Sequence, residues 1–367
     1  MKPRVLFVGR GRLTLPLPAW LEKKWSALDE VFDLRVLNAG FGGGDPRFRL
    51  LPNAAPSFYS RLPLEIARSL RVFRPDAIIA SDPYIGFTAL GARRLARSRA
   101  KLIVEVHGDP RTFTRGYGSP TRKVLSPFTD AVARIGLRHA DATRGLSQFT
   151  SSLIEEVRGR PATACFPTYS DLSAFSDRPV EPLPSERRLV FVGALEQYKN
   201  VDGLSAAWRK VAPELPDATL VVVGKGSRHA VIEKLVADLP GRVEHHAELL
   251  PDAVASAIDR SWALVLPSWP EGLGRVVLEA FARGRTTVAT NAGGIRDIVT
   301  DGHDGILIPV ADTAALADGM HRVLDDRALA VKLGSAARDS YGKWHQTAED
   351  FAGSYRELVD RVLDGAR

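Results

Sequence analysis

Two carboxylates, Glu271 and Glu279, are separated by seven residues in the stretch Leu266 to Gly284, LPSWPEGLGRVVLEAFARG, and Gly272 and Gly274 follow directly on the first. Side-chain-free residues at the start of a helix let an anion approach amides that have no intrahelical partner, which is a phosphate-binding arrangement. A carboxylate beside a phosphate is repulsive unless it accepts hydrogen bonds from hydroxyls. The combination therefore suits a sugar nucleotide better than a bare phosphate. Spacing alone leaves a second reading open, an ordinary strand, turn and helix carrying solvated glutamates.

The elements that must position these groups are legible as apolar runs that end in glycine. A buried strand, Trp262 to Pro267, runs into the glycine loop, and an apolar-periodic helix from about Arg275 to Arg283 runs out of it. The same strand-then-glycine pattern recurs at Arg188 to Val192 before Gly193, and at Thr219 to Val223 before Gly224. In the first half, strands are expected at Arg4 to Val8, Phe32 to Leu37, Ala77 to Ala80 and Leu102 to Val106, with helices around Trp20 to Leu28, Pro63 to Phe73, Gly86 to Ala96 and Val124 to Leu137. Ser147 is expected to cap a further helix. Leu102 to Val106 delivers His107-Gly108-Asp109 to its C-terminal end, where open α/β sheets place ligands. A histidine there is either substrate-facing or structural.

Alternation of strand and helix on both sides of a proline-rich stretch (Pro167, Pro179, Pro182, Pro184) predicts two doubly wound α/β halves joined by a linker. Gly9-Arg10-Gly11 lacks the third glycine of a dinucleotide fingerprint, so that class is rejected. Phe41-Gly-Gly-Gly44-Asp45-Pro46 reads as a long flexible connection or as an acceptor lid.

The segment from Glu271 through Glu279-Ala280, Gly284, Ala289-Thr290, Gly293-Gly294, Ile298-Val299 and Gly305 resembles the donor half of family-4 retaining glycosyltransferases of the GT-B fold. About fifty residues match in order. The chain departs from the pattern at Thr286, where proline is usual, and at Asp297, where glutamate is usual. The resemblance implies two Rossmann-like domains facing one another across a cleft. Residues 1–168 would form the acceptor-side domain and 169–344 the nucleotide-sugar domain. A closing helix within Tyr341 to Leu363, counted from about residue 345 to 367, would pack back on the first domain.

In that family the donor is held by positions matching Gly193, Lys199, Gly224, Leu249, Gly272, Leu273, Gly274, Arg275, Val276 and Glu279, with the segment around Glu248-Leu249 reading the base through its backbone. Glu279 would bind ribose hydroxyls and Glu271 the sugar hydroxyls, and His107 would hydrogen-bond the transferred sugar or support the departing proton. His107, Glu271 and Lys199 are thus the expected catalytic groups. Where the family carries a second diphosphate-binding arginine, this chain has Ala194, and Arg275 or Lys225 would have to substitute. The sequence contains no Asp-x-Asp pair, so the expectation is a metal-independent enzyme with no cofactor other than its nucleotide-sugar co-substrate. Two alternatives share the fold: a nucleotide-sugar epimerase, and a donor-binding protein with impaired catalysis.

Bulk properties bound the remaining possibilities. The 367 residues suit two domains, and 45% apolar with 25% charged residues is ordinary for a globular protein. A single cysteine, Cys165, excludes a disulfide framework. The four consecutive apolar residues before Gly9 are too few for a signal-peptide core, so a cytoplasmic protein is expected. Charge is uneven: residues 1–168 hold 27 Lys+Arg against 14 Asp+Glu (+13), and the rest hold 23 against 29 (−6). A basic acceptor half, including the run Arg93, Arg94, Arg97, Arg99 and Lys101, suits an anionic membrane surface or an anionic lipid-linked acceptor. It equally suits charges that stabilise a helix C-terminus. No nucleic-acid module is present.

Overall fold

The computed structural model describes residues 1–109, 111 and 124–365. They fall into two compact units, Met1–Ser170 with Gln346–Arg367, and Asp171–His345. Both are built on parallel strands, the central ones apolar runs, in sheets with helices on both faces.

In the first unit the strands are β1 (Arg4–Val8), β2 (Leu13–Thr14), β3 (Asp33–Phe41), β4 (Phe48–Leu51), β5 (Ala77–Ala80), β6 (Lys101–Val106), β7 (Ala142–Gly145) and β8 (Ala164–Cys165). The sheet runs β2-β3-β1-β5-β6-β7-β8, with β4 also paired to β3. Helices 55–72, 83–95 and 148–158 cover one face, and helices 19–31 and 348–364 the other. The second face is aromatic: Phe7 packs edge-on against Trp25 and Tyr355, and Phe166 against Phe351 and Tyr355, with ring centroids 4.9–6.1 Å apart where Tyr355 meets Phe351 and Phe166 meets Phe351.

Helix starts follow local chemistry. Asp82 Oδ1 accepts from the Tyr84 and Ile85 amides at 2.8 and 2.9 Å, capping the helix that Pro83 opens. Ser147 and Thr150 form a capping box on the helix Gln148–Arg158.

In the second unit the strands are β9 (Arg188–Val192), β10 (Thr219–Val223), β11 (Val243–His246), β12 (Ala263–Leu266), β13 (Thr286–Thr290) and β14 (Gly305–Ile308), ordered β11-β10-β9-β12-β13-β14. The order reverses between β9 and β12. At that reversal the connections leave on opposite faces and open a crevice at the C-terminal ends of the strands. Core clusters lie on both faces; one is centred on the fully buried Trp208 and Phe191, the other on Phe281 and Ile258.

Several local expectations are corrected. The helix expected from Pro63 begins at Ala55, with Pro63 inside it, because Phe58, Leu62, Ile66 and Leu70 at helical spacing are all buried; each contributes roughly 1.5–3 kcal/mol of burial, which outweighs one missing backbone bond. The Phe41–Pro46 stretch is short of slack: Phe41 ends β3, and Arg47 clasps both Asp45 and Glu22, at 2.6 and 2.7 Å, before β4 begins. The closing helix runs over Ala348–Asp364, and Thr347 and Asp350 form the capping box that starts it.

The proline-rich stretch is not a free tether. Arg283, buried, donates to the carbonyls of Phe175, Arg178 and Pro179 and pairs with Asp259 at 2.8 Å. Arg285 donates to those of Glu181 and Pro182. Carbonyls that a proline-rich segment cannot pair within itself are thus taken up by two guanidinium groups of the second unit.

Candidate active site

Most of the expected donor residues converge at the C-terminal ends of β9, β10 and β12. Lys199 sits on a short 3₁₀ turn, Gln197–Lys199, fixed from outside by the Trp269 amide donating to the Tyr198 carbonyl at 2.7 Å. Its side chain is buried and its Nζ lies 2.8 Å from Glu271 Oε1. Gly193 lies alongside it, so that a Cβ there would stand in van der Waals contact with Lys199 Cε. Gly224, at φ +153, lets β10 turn away beside Gly193, whose carbonyl would be 1.9 Å from a Cβ.

Gly274 takes the left-handed conformation (φ +86) and opens the helix Arg275–Ala282, whose start, in the loop that carries Glu271, has no side-chain cap. A second glycine pair supports this loop from beneath. Gly294 donates its amide to the Glu271 carbonyl at 2.8 Å, and Gly293, at φ +61, passes so close that a Cβ would lie 2.3 Å from Glu271 O and 2.5 Å from Glu271 N. The two loops therefore hold Glu271 as one piece.

One turn into the helix, Glu279 is buried, and Arg275 Nε reaches its Oε1 at 3.2 Å. Burial raises the Glu279 pKa; Arg275 and, more weakly, Lys199 oppose that shift. Each carboxylate is thus matched by one cation, Glu271 by Lys199 and Glu279 by Arg275. The two cations differ in reach: the Arg275 side chain is 58% exposed, the Lys199 side chain 9%.

Three expected donor residues pack their side chains against the core. Leu273 and Val276 turn their side chains into the core of the second unit. Leu249 does the same and lines a groove with Arg188, Glu244 and His246. Lys225, the other cation considered as a substitute at Ala194, is paired on the surface with Glu248.

His107 belongs to the first unit, at the end of β6, and the structure gives it partners that the sequence reading passed over. Its Nε2 lies 2.9 Å from Oε2 of Glu105, a buried carboxylate. Arg144 on β7, fully buried, donates to Glu105 Oε1 at 2.6 Å and to the Tyr355 hydroxyl at 2.8 Å, and the Tyr355 hydroxyl donates to the same Oε1. Burial alone would raise the Glu105 pKa; Arg144, His107 and Tyr355 more than offset it and hold the carboxyl well below its usual range. A charge at the fourth residue of the apolar run LIVEV was the available signal for this group.

Glu105, His107 and Tyr355 line a cavity of about 240 Å³ together with Lys24, Asn38, Ser81 and Thr168. Lys24 lies over the rings of Trp25 and Phe351, 4.9 and 5.4 Å from their centroids, and burial pushes its pKa down to about 8. Asn38 packs over Gly9 and donates to the Gly11 carbonyl, which fixes the loop after β1.

Parallel α/β halves with carboxylate and cation pairs over glycine loops at a switch point define the kind of protein this is. The second half, residues 175–340, matches the family model of glycosyl transferases group 1, and residues 22–167 match that of the glycosyl transferase 4-like domain. The chain belongs to the family-4-like glycosyltransferases of the GT-B fold. It is 28% identical over 285 residues to the N-acetyl-alpha-D-glucosaminyl L-malate synthase of Bacillus anthracis, covering 74% of this chain and 71% of that one. Among solved structures it is similar to sucrose-phosphate synthase from Thermosynechococcus elongatus (TM-score 0.78, 18% identity, 100% of both chains). It is also similar to HepE of Anabaena in complex with UDP-glucose (TM-score 0.72, 17% identity, 99% of this chain and 100% of that one).

Proposed function

We propose that this glycosyltransferase moves a hexose, with retention of configuration and without a metal ion, from a nucleotide-diphosphate sugar to a hydroxyl acceptor that is lipid-linked or part of an envelope polysaccharide. The observation that carries the reading is the Lys199–Glu271 pair beside the uncapped helix start at Gly274. A buried ammonium already held at a helix N-terminus is preorganised for the charge that develops on a leaving diphosphate. In this reading the diphosphate sits on Lys199 and the amides after Glu271. Glu279, kept less acidic by burial, accepts ribose hydroxyls, and Glu271 accepts those of the sugar. The leaving phosphate takes the acceptor's proton as attack occurs on the same face, and His107 serves the acceptor side.

The UDP-glucose complex of HepE supports a nucleotide-sugar donor, and the +13 charge of residues 1–168 supports an anionic acceptor or membrane surface. Among the described residues no helix is long and apolar enough to cross a membrane; the basic charge is what favours a place in the cytoplasm, peripheral at the inner face of the membrane. A second reading, donor binding without transfer, is favoured by one observation: Ala194 stands where a second diphosphate cation is expected, and Arg275 is engaged with Glu279. Titration calorimetry with UDP-, GDP- and ADP-sugars, with Glu279→Ala as control, tests both. Saturable binding lost in the variant, followed by transfer or slow hydrolysis, supports the enzyme; binding with neither supports the second reading; no binding removes both.

A further inference from the structure

Glu105 accepts on both oxygens, and its partners are not equivalent. Oε1 receives Arg144 Nη1 and the Tyr355 hydroxyl, and among the described residues Oε2 is bonded to the His107 ring alone. An ionised carboxylate has no proton to give, so the nitrogen facing it must carry one. The carboxylate cannot rotate away. Arg144 is itself locked, with Nη2 donating to the carbonyls of Phe166 and Pro167 at 3.0 and 2.8 Å and its guanidinium 4.0 Å from the Phe166 ring centroid. Tyr355 is locked on the other side by Phe351 and Phe166. The imidazole, by contrast, is 43% exposed. Among the described residues, the other charged groups near this cluster include Asp82, capping its own helix, Arg10, which faces Asp82, and Lys24 on the helix Ala19–Val31.

We propose that Glu105 is the positioning residue of His107: clamped by Arg144 and by Tyr355 of the helix Ala348–Asp364, it fixes the ring as the Nε2–H tautomer and leaves Nδ1 as the hydrogen-bond acceptor for a substrate hydroxyl. This rests on the reading of His107 as substrate-facing. It adds that the helix Ala348–Asp364 takes part in setting the ring's chemistry, because one of the two donors that orient Glu105 comes from it. A buried carboxylate that orients an imidazole in this way selects the tautomer as well as the angle.

The carboxamide variant gives a sharp expectation. In Glu105→Gln, Arg144 and Tyr355 both demand an acceptor at the position of Oε1, so the amide must turn its NH₂ toward His107. Nε2 then has to accept, and the proton moves to Nδ1. Nitrogen-15 NMR of the full chain should show a protonated Nε2 and a bare Nδ1 in the neutral wild-type ring, and the reverse in Glu105→Gln. Tyr355→Phe, in which Arg144 still orients the carboxylate, should keep the wild-type tautomer. With the nucleotide sugar that saturates the wild type, Glu105→Gln should lose about 10- to 100-fold in kcat at unchanged donor KM.

A wild-type ring protonated on Nδ1 overturns the proposal without any variant, even if Glu105→Gln does not fold. So does a folded Glu105→Gln with wild-type tautomer and kcat. Unimpaired transfer by His107→Ala sinks the substrate-facing reading instead, while the wild-type tautomer still reports whether Glu105 holds the ring.

Discussion

Lys199 and Glu271 come from different loops, 72 residues apart, yet Nζ and Oε1 lie 2.8 Å apart in a largely buried contact. Removing one partner of such a pair leaves the other uncompensated in a low-dielectric site. Lys199→Met should lower kcat by about 100-fold, the effect of losing one preorganised donor. Glu271→Gln should weaken donor binding, and the double variant should lose less than the sum, with a coupling of about 1–3 kcal/mol. Additive losses by calorimetry would mean that the pair does not act as a unit.

Gly293 is where the two loops of the donor half touch. Gly293→Ala must place a methyl where the Glu271 backbone now is, at a φ of +61 that side chains resist. A loss of roughly 1–3 kcal/mol in urea unfolding, with donor affinity reduced alongside it, is expected. Wild-type affinity in this variant would show that the Glu271 loop does not depend on the support beneath it.

Arg283 holds three carbonyls of the 175–179 segment and Asp259 at once. Arg283→Ala strands Asp259 and frees those carbonyls, so a loss of about 3–5 kcal/mol is expected, together with new protease cleavage between residues 175 and 184. A cleavage pattern identical to wild type would contradict the clamp.

Lys24 carries the cost of a charge that burial disfavours. Below about pH 8 it is protonated in both folded and unfolded chains, and the fold bears that cost in full. Between about 8 and its ordinary 10.5 only the unfolded chain keeps the proton, so its contribution to stability rises with pH. Lys24→Met should therefore raise Tm at pH 7, and the gain should shrink by pH 10. A gain independent of pH would assign the effect to packing alone.

The parts of this molecule written in short stretches were readable from sequence. Val190 and Val265 sit in apolar runs closed by Gly193 and by the Gly272–Gly274 loop, and periodicity plus a turn residue is enough to place a strand end. The Ser147 cap was readable for the same reason. Partnerships across long separations were not. Nothing near Glu105 announces Arg144 or Tyr355, the latter 250 positions away. Nothing in Pro179 to Pro184 announces the arginines that receive its carbonyls. Pro63 misled because a proline is a good helix start in isolation, and only the burial of Phe58 and Leu62 upstream reveals that the helix has already begun.

The first unit is assembled from both sides of the second, since helix Ala348–Asp364 completes the aromatic face begun by Phe7 and Trp25. On the ribosome the two units therefore cannot mature in the order in which they are written. Residues 1–170 emerge first, but the Glu105–Arg144 pair waits, uncovered and without its tyrosine, until residues 348–364 have been made. Residues 171–345 form an uninterrupted segment and close first. The half encoded earliest is finished last, and a growing chain spends that interval with an aromatic, partly open sheet face exposed to whatever in the cell binds unfolded surfaces.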